Sequence, residues 1–160
     1  MAKPTKHAAK ICLVLSIIVV LGALIGLLAK SPLVLLLALT GSVLYQVYRT
    51  EGETTRWASR TLLAALVLEF VLVIFGVSFD LAAFLGASER TVAGYQVPIG
   101  DIKLVGPAVM AVCAMILLVR TRGRYTRWLS VNILVGTLAL AYVLDPVVFQ
   151  ELVRSGVDGI

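Results

Sequence analysis

A single carboxylate, Glu69, stands in the middle of an apolar stretch that reads L-V-L-E-F-V-L. An ionised carboxylate in the hydrocarbon core of a bilayer costs about 2.5–3.5 kcal/mol, so such a group is protonated, paired or facing water. One interpretation is a proton or cation site, to which Asn132 and Thr137 of a later apolar stretch could contribute. Thr40 and Ser42 of an earlier stretch are further polar neighbours. The simpler interpretation is a protonated acid that hydrogen-bonds to a neighbouring helix or to a partner subunit.

A basic pattern that occurs twice is the second feature with a possible chemistry. Residues 49–59 read R-T-E-G-E-T-T-R-W-A-S and residues 120–130 read R-T-R-G-R-Y-T-R-W-L-S, with seven identities in eleven positions. The pattern predicts a duplicated unit of helix, basic turn and helix. Paired basic turns can bind anionic lipid headgroups, a phosphate-bearing ligand or an acidic partner. Alternatively, any short cytoplasmic turn of a membrane protein needs positive charge, a glycine and an interfacial tryptophan.

The two turns differ in charge. The arginines that would form an anion site are Arg49 and Arg56 in the first turn, and Arg120, Arg122, Arg124 and Arg127 in the second. Glu51 and Glu53 make the first turn nearly neutral, so we expect the second turn to bind an anion more strongly. Thr55 and Thr126 are expected to cap the helices that follow.

Gly22 and Gly26 form a G-x-x-x-G pattern in the first apolar stretch. This spacing lets two helices approach closely. The pattern predicts a helix-packing face, and it leaves open whether the neighbour belongs to the same chain or to another copy.

The composition indicates that the bilayer is the solvent for this chain. Hydrophobic residues make up 60% of the sequence, charged residues only 14%, and the mean hydropathy is +1.01. We predict an all-α polytopic integral membrane protein with a single membrane domain, 1–160. Its five predicted spans cover about 11–29, 32–48, 61–79, 102–119 and 128–146. The first two are separate because Lys30-Ser31-Pro32 interrupts the run, and proline suits the first turn of a new helix.

The basic residues predict the orientation, because cytoplasmic loops of membrane proteins are enriched in Lys and Arg. The N-terminal tail and the two basic turns carry ten of the fourteen Lys and Arg residues. These regions are therefore expected in the cytoplasm, with the C-terminus and the loop 80–101 outside. Short loops with this charge bias are typical of a prokaryotic inner membrane.

Several function classes find no support in the residues. The net charge of +5 does not indicate nucleic-acid binding, because the basic residues lie in short turns between apolar segments. Cys12 and Cys113 lie inside apolar runs and His7 is the single histidine, so we expect no metal and no cofactor. We find no catalytic motif, and we predict that the chain is not an enzyme.

Three hypotheses about function remain. The first is a non-enzymatic membrane subunit or accessory protein that packs through its helices against another membrane protein or against itself. The second is a small transporter or proton-coupled channel that uses Glu69. The third is a membrane protein that binds anionic lipid or another anion with its basic turns.

Overall fold

The computed structural model describes residues 7–77, 90–92, 95–97, 102–147, 149–150 and 154. Its helices are α1 (Ala8–Ala29), α2 (Pro32–Arg49), α3 (Glu53–Ile74), α4 (Val105–Arg120) and α5 (Arg124–Leu144). A 3-10 turn, Ile102–Leu104, precedes α4, and the short strands β1 (Arg90–Val92) and β2 (Tyr95–Val97) pair in antiparallel fashion. Most of the predicted outer loop 80–101 lies outside the described residues. In the part of the chain that the structure describes, five helices are long and apolar enough to cross a membrane, which agrees with the predicted class of an all-α, multi-pass membrane protein.

The break between α1 and α2 is a tight reversal, as the sequence predicts. Lys30 has a left-handed backbone (φ 49°, ψ 38°), and the N–H of Ser31 donates to the carbonyl of Gly26 at 3.0 Å. Pro32 is the first residue of α2, where its missing N–H leaves no intrahelical hydrogen bond unmade. The two helices therefore form a hairpin rather than one long helix.

Helix α3 ends earlier than the predicted span 61–79. Gly76 adopts a positive φ of 60°, and the N–H of Val77 donates back to the carbonyl of Leu72 at 3.0 Å. This arrangement is a common helix C-terminus in which glycine takes the left-handed position. Consequently Glu69 lies not at the middle of the helix but five residues, about 7.5 Å, from its end.

Helices α2, α3, α4 and α5 form a closed ring in which each helix packs against the next and α5 returns to α2. Helix α1 lies outside this ring, across the seam between α2 and α5. The interior is filled by buried apolar side chains, including Leu36, Leu39, Leu62, Leu66, Met110, Leu117, Ile133 and Leu140. The outward faces of the helices are also apolar, with Leu28, Leu37 and Val119 each at least 66% exposed. An apolar exterior of this kind suits a lipid environment.

Candidate functional site

Contacts between distant segments place the start of α1 and both basic turns at one end of the bundle. The Gln46 side-chain amide, near the end of α2, donates to the Ser130 hydroxyl near the start of α5 at 3.2 Å. The Cys12 thiol in the first turns of α1 lies 4.0 Å from the carbonyl of Tyr125. We call this the basic-turn end. Its exposed cations are Lys10, Arg56, Arg60, Arg120, Arg122, Arg124 and Arg127, whereas Lys3 and Lys6 lie outside the described residues.

The two basic turns end their preceding helices in the same way. The Thr50 hydroxyl donates to the carbonyl of Gln46 at 2.7 Å, and the Thr121 hydroxyl donates to the carbonyl of Leu117 at 2.6 Å. Both threonines are buried and extended in backbone conformation. Each of these carbonyls also accepts the backbone N–H of the same threonine, at 2.9 and 3.0 Å, so the threonine binds the last turn of the helix through two hydrogen bonds.

The threonines that follow do not cap the next helices, contrary to the prediction. Gly52 and Gly123 occupy the N-cap positions, and neither helix has a side-chain cap. The hydroxyls of Thr55 and Thr126 instead donate to the carbonyls of these glycines, at 3.1 and 2.7 Å. The glycines differ in backbone, since Gly52 has φ +105° and Gly123 has φ −73°. Only the first turn thus requires glycine for its backbone conformation. In the second turn a Cβ at position 123 would lie 2.6 Å from the Thr126 hydroxyl oxygen, so that side chain would have to move.

Arg49, the last residue of α2, holds its guanidinium between two aromatic rings. The guanidinium carbon lies 5.9 Å from the ring centre of Tyr45 and 5.5 Å from that of Tyr125. One terminal nitrogen donates to the Tyr45 hydroxyl at 3.4 Å. Both distances are within the range of cation–π attraction. Because Tyr45 is one turn earlier, the Arg49 side chain folds back along α2 instead of extending into water.

Two fully buried polar side chains, Ser42 and Gln46, precede Arg49 on the same face of α2. The Ser42 hydroxyl oxygen, the Gln46 carbonyl oxygen Oε1 and the Arg49 nitrogen Nε are shielded from solvent and have no hydrogen-bond partner among the described residues. Sequence reasoning named Ser42 only as a neighbour of Glu69, and it missed Gln46. Gln46 could have been identified from its spacing, because it is an uncharged amide four residues after a serine in an otherwise apolar helix.

Asn132, which the sequence offered as a neighbour of Glu69, has a different partner. Its side-chain amide donates to the Ser16 hydroxyl of α1 at 2.6 Å, and the Trp128 indole donates to the same hydroxyl at 2.9 Å. The Ser16 hydroxyl in turn donates to the carbonyl of Cys12 at 2.8 Å. These polar contacts attach α1 to α5 on the side that faces away from the ring.

Glu69 is completely buried, and its carboxyl group packs against Gly106 in the first turn of α4. A Cβ atom at position 106 would collide with the Oε2 atom of Glu69. Nothing in the sequence pattern connects these two positions. The absence of a side chain at Gly106 is therefore what makes room for a buried carboxyl group between α3 and α4.

The structure does not bring Glu69 and Asn132 to the same depth. Both α3 and α5 begin at the basic-turn end, where Glu69 is sixteen residues from the start of its helix and Asn132 is eight. At about 1.5 Å per residue, the two lie about 12 Å apart along the bundle. Thr137 is buried nearer the depth of Glu69, and its hydroxyl donates to the carbonyl of Leu134 in its own helix at 2.8 Å.

The glycine face of α1 packs within the chain. Gly22 lies against Ala38 of α2, and a Cβ at Gly26 would come 2.7 Å from the Cγ atom of Leu35. Both glycines are buried. Of the two alternatives left open by the sequence, the structure shows the intrachain contact, so this face is not available to another copy.

Among the described residues, no group of three His, Cys, Asp or Glu side chains is close enough to hold a metal ion. Comparison of the chain with protein-family models, with curated proteins and with solved structures gave no match.

Proposed function

We propose that the chain is a non-enzymatic, multi-pass membrane protein that binds anionic, phosphate-bearing headgroups at its basic-turn end. The observation that carries this proposal is the meeting of three separate basic segments at one end of the bundle. The start of α1 and both turns contribute to it. The hydrogen bond from Gln46 to Ser130 and the contact of Arg49 with Tyr125 connect α2 to α5 at this end. In this proposal the N-terminus and both turns face the cytoplasm and the C-terminus faces outward, as in a prokaryotic inner membrane.

The charge balance at this end favours anions. The described part carries eight cationic side chains there, Lys10, Arg49, Arg56, Arg60, Arg120, Arg122, Arg124 and Arg127, against two carboxylates, Glu51 and Glu53. Each Lys or Arg near an anionic membrane surface contributes about 1 kcal/mol of attraction. The second turn holds four of these cations and neither carboxylate, so it is the stronger part of the surface.

Duplication of one helical hairpin would explain why two such turns exist. The turns share seven sequence identities, and each ends its preceding helix with a threonine hydroxyl that donates to the carbonyl four residues earlier. A hairpin that carries its own basic turn, when duplicated in the same orientation, doubles the positive charge on one side of the membrane.

Lipid retention by the purified full chain tests this proposal. We expect native mass spectrometry to show more bound phosphatidylglycerol than phosphatidylcholine, with a preference that decreases as salt rises. Arg122→Gln plus Arg124→Gln should remove most of the preference. The matched control, Arg56→Gln plus Arg60→Gln, removes the same charge beside Glu51 and should have a smaller effect. Equal retention of both lipids at low salt would exclude the proposal.

A second candidate function, proton or cation movement through Glu69, is supported by the complete burial of its carboxyl group and by the space that Gly106 leaves for it. Buried ionisable groups in membrane helices are commonly functional. Proton flux into vesicles that contain the purified chain, followed with a pH-sensitive dye, should stop in Glu69→Gln and continue in the control Glu51→Gln. Equal flux in both variants would dismiss this function.

A further inference from the structure

One row of polar side chains runs along α2 into the interior of the bundle. Ser42, Gln46 and Arg49 are spaced by four and three residues, so they share one face of the helix. Ser42 and Gln46 are 0% exposed. Each of the three carries a buried polar atom that has no partner among the described residues. Leaving such an atom without a hydrogen bond destabilises the folded protein.

The fold itself does not require polar side chains in this row. When the two basic turns are aligned, Ser42 corresponds to Cys113 and Gln46 corresponds to Leu117. Cys113 and Leu117 are also buried, in the same ring of helices. The second hairpin therefore fills the equivalent positions with a thiol and an aliphatic side chain. The hydrogen bond from the Gln46 amide to Ser130 explains one polar group of this row. Packing does not explain the Gln46 Oε1 atom or the Ser42 hydroxyl, which have no partner among the described residues.

Arg49 supplies a positive charge where this row reaches the basic-turn end. Its contacts with Tyr45 and Tyr125 hold the guanidinium beside α2 and the start of α5. The rings attract the face of the guanidinium but accept no hydrogen bond from its Nε–H in the plane of the group. An arginine held in this way still has donors for an anionic oxygen, and Arg is well suited to phosphate.

We propose that Arg49 and Gln46 bind one phosphate group that enters from the basic-turn end. Arg49 donates through its Nε–H and a terminal N–H to two phosphate oxygens. A half-turn of the Gln46 amide directs its N–H groups toward the phosphate. The Ser130 hydroxyl then turns its proton from the carbonyl of Thr126 to the Oε1 atom of Gln46. Entry requires the half-buried ring of Tyr125 to move aside. The phosphate can belong to a lipid headgroup or be free inorganic phosphate.

This proposal rests on the headgroup-binding function proposed above, but it makes a separate prediction. The anion preference of the surface depends on Arg122 and Arg124, whereas the specific site depends on Gln46 and Arg49. Gln46→Leu leaves the charge of the surface unchanged and introduces the residue found at the aligned position 117. It is therefore expected to fold and to retain the general preference for anionic lipid.

The experiment measures binding to the purified full chain of two probes, phosphatidylglycerol in nanodiscs and inorganic phosphate in detergent. We expect Gln46→Leu and Arg49→Lys each to weaken binding of at least one probe by tenfold or more. The control Arg120→Lys, at the aligned position, should weaken it less than threefold. Thermal unfolding of each variant checks that the fold is intact.

The two probes identify the source of the phosphate. Loss of nanodisc binding alone assigns the site to a lipid headgroup, and loss of inorganic phosphate binding assigns it to the free anion. Unchanged binding of both probes by folded Gln46→Leu and Arg49→Lys would overturn the site. If only Arg122→Gln plus Arg124→Gln weakens binding, the result supports the headgroup-binding surface and contradicts the specific site at Gln46 and Arg49. If Gln46→Leu binds a probe more weakly while the parent protein retains anionic and zwitterionic lipids equally, the result supports the specific site and contradicts the headgroup-binding surface.

Discussion

Substitution of Ser42 by alanine, which removes a hydroxyl group, is expected to stabilise this protein. The Ser42 hydroxyl is fully buried and has no hydrogen-bond partner among the described residues. Deleting a buried polar atom of this kind recovers its desolvation penalty, about 1–3 kcal/mol, less a small loss of packing for one missing oxygen. Ser42→Ala should therefore raise the free energy of unfolding by about 1 kcal/mol.

Ser130 provides the matched control, because it is also a fully buried serine in the ring of helices. Its hydroxyl accepts a hydrogen bond from Gln46 at 3.2 Å and donates to the carbonyl of Thr126 at 2.9 Å. Ser130→Ala removes the acceptor for the Gln46 N–H and leaves a second amide atom unsatisfied. Unlike Ser42→Ala, Ser130→Ala should therefore lower the free energy of unfolding, by about 1–3 kcal/mol.

Thermal unfolding in a mild detergent, followed by near-ultraviolet circular dichroism at one scan rate, compares the two variants. For a chain of this size about 1 kcal/mol corresponds to about 2–4 °C in Tm. Ser42→Ala is expected to melt above the parent protein and Ser130→Ala below it. If Ser42→Ala melts as far below the parent as Ser130→Ala does, the Ser42 hydroxyl has a partner and the reasoning about this row is wrong.

Three further substitutions test close contacts and backbone requirements. Gly106→Ala should lower stability by about 1–3 kcal/mol through overpacking, and Glu69→Ala in the same chain should recover most of that loss in a double-mutant cycle; simple additivity would contradict the contact. Gly52→Ala forces a positive φ on alanine and should cost about 1–3 kcal/mol, more than Gly123→Ala in parallel chemical denaturation. Gly22→Leu should lower Tm by separating α1 from α2; an unchanged Tm would argue against this contact.

The membrane class and the number of helices could be predicted because they follow from composition and segment length. Five apolar segments are long enough to span a membrane, and Pro32 and the basic turns separate them. These features leave few alternative interpretations of the number of helices. The end of α3 was missed because the apolar run continues past Gly76, and only the positive φ of that residue stops the helix. Hydropathy predicts which segment can lie in the membrane, whereas the end of the helix depends on a glycine that can adopt the left-handed conformation.

The partners of the polar side chains could not be predicted, because they depend on how the helices rotate against each other. The sequence grouped Asn132 with Glu69 because both are polar residues in apolar stretches. In the structure Asn132 faces α1, where it meets Ser16, and Glu69 faces α4, where it meets Gly106. A residue's depth follows from counting along the helix, but the neighbouring helix that it faces follows from packing of all five.

Glu69 and Gly106 form a pair whose aligned counterparts are both leucine. Aligning the two turns places Leu140 opposite Glu69 in the sequence and Leu35 opposite Gly106, and both leucines are buried. At the aligned positions of α5 and α2, two aliphatic side chains thus replace the carboxyl group of α3 and the glycine of α4. Gly106 therefore provides the space that the Glu69 carboxyl group occupies, and the double-mutant cycle of these two residues tests that contact.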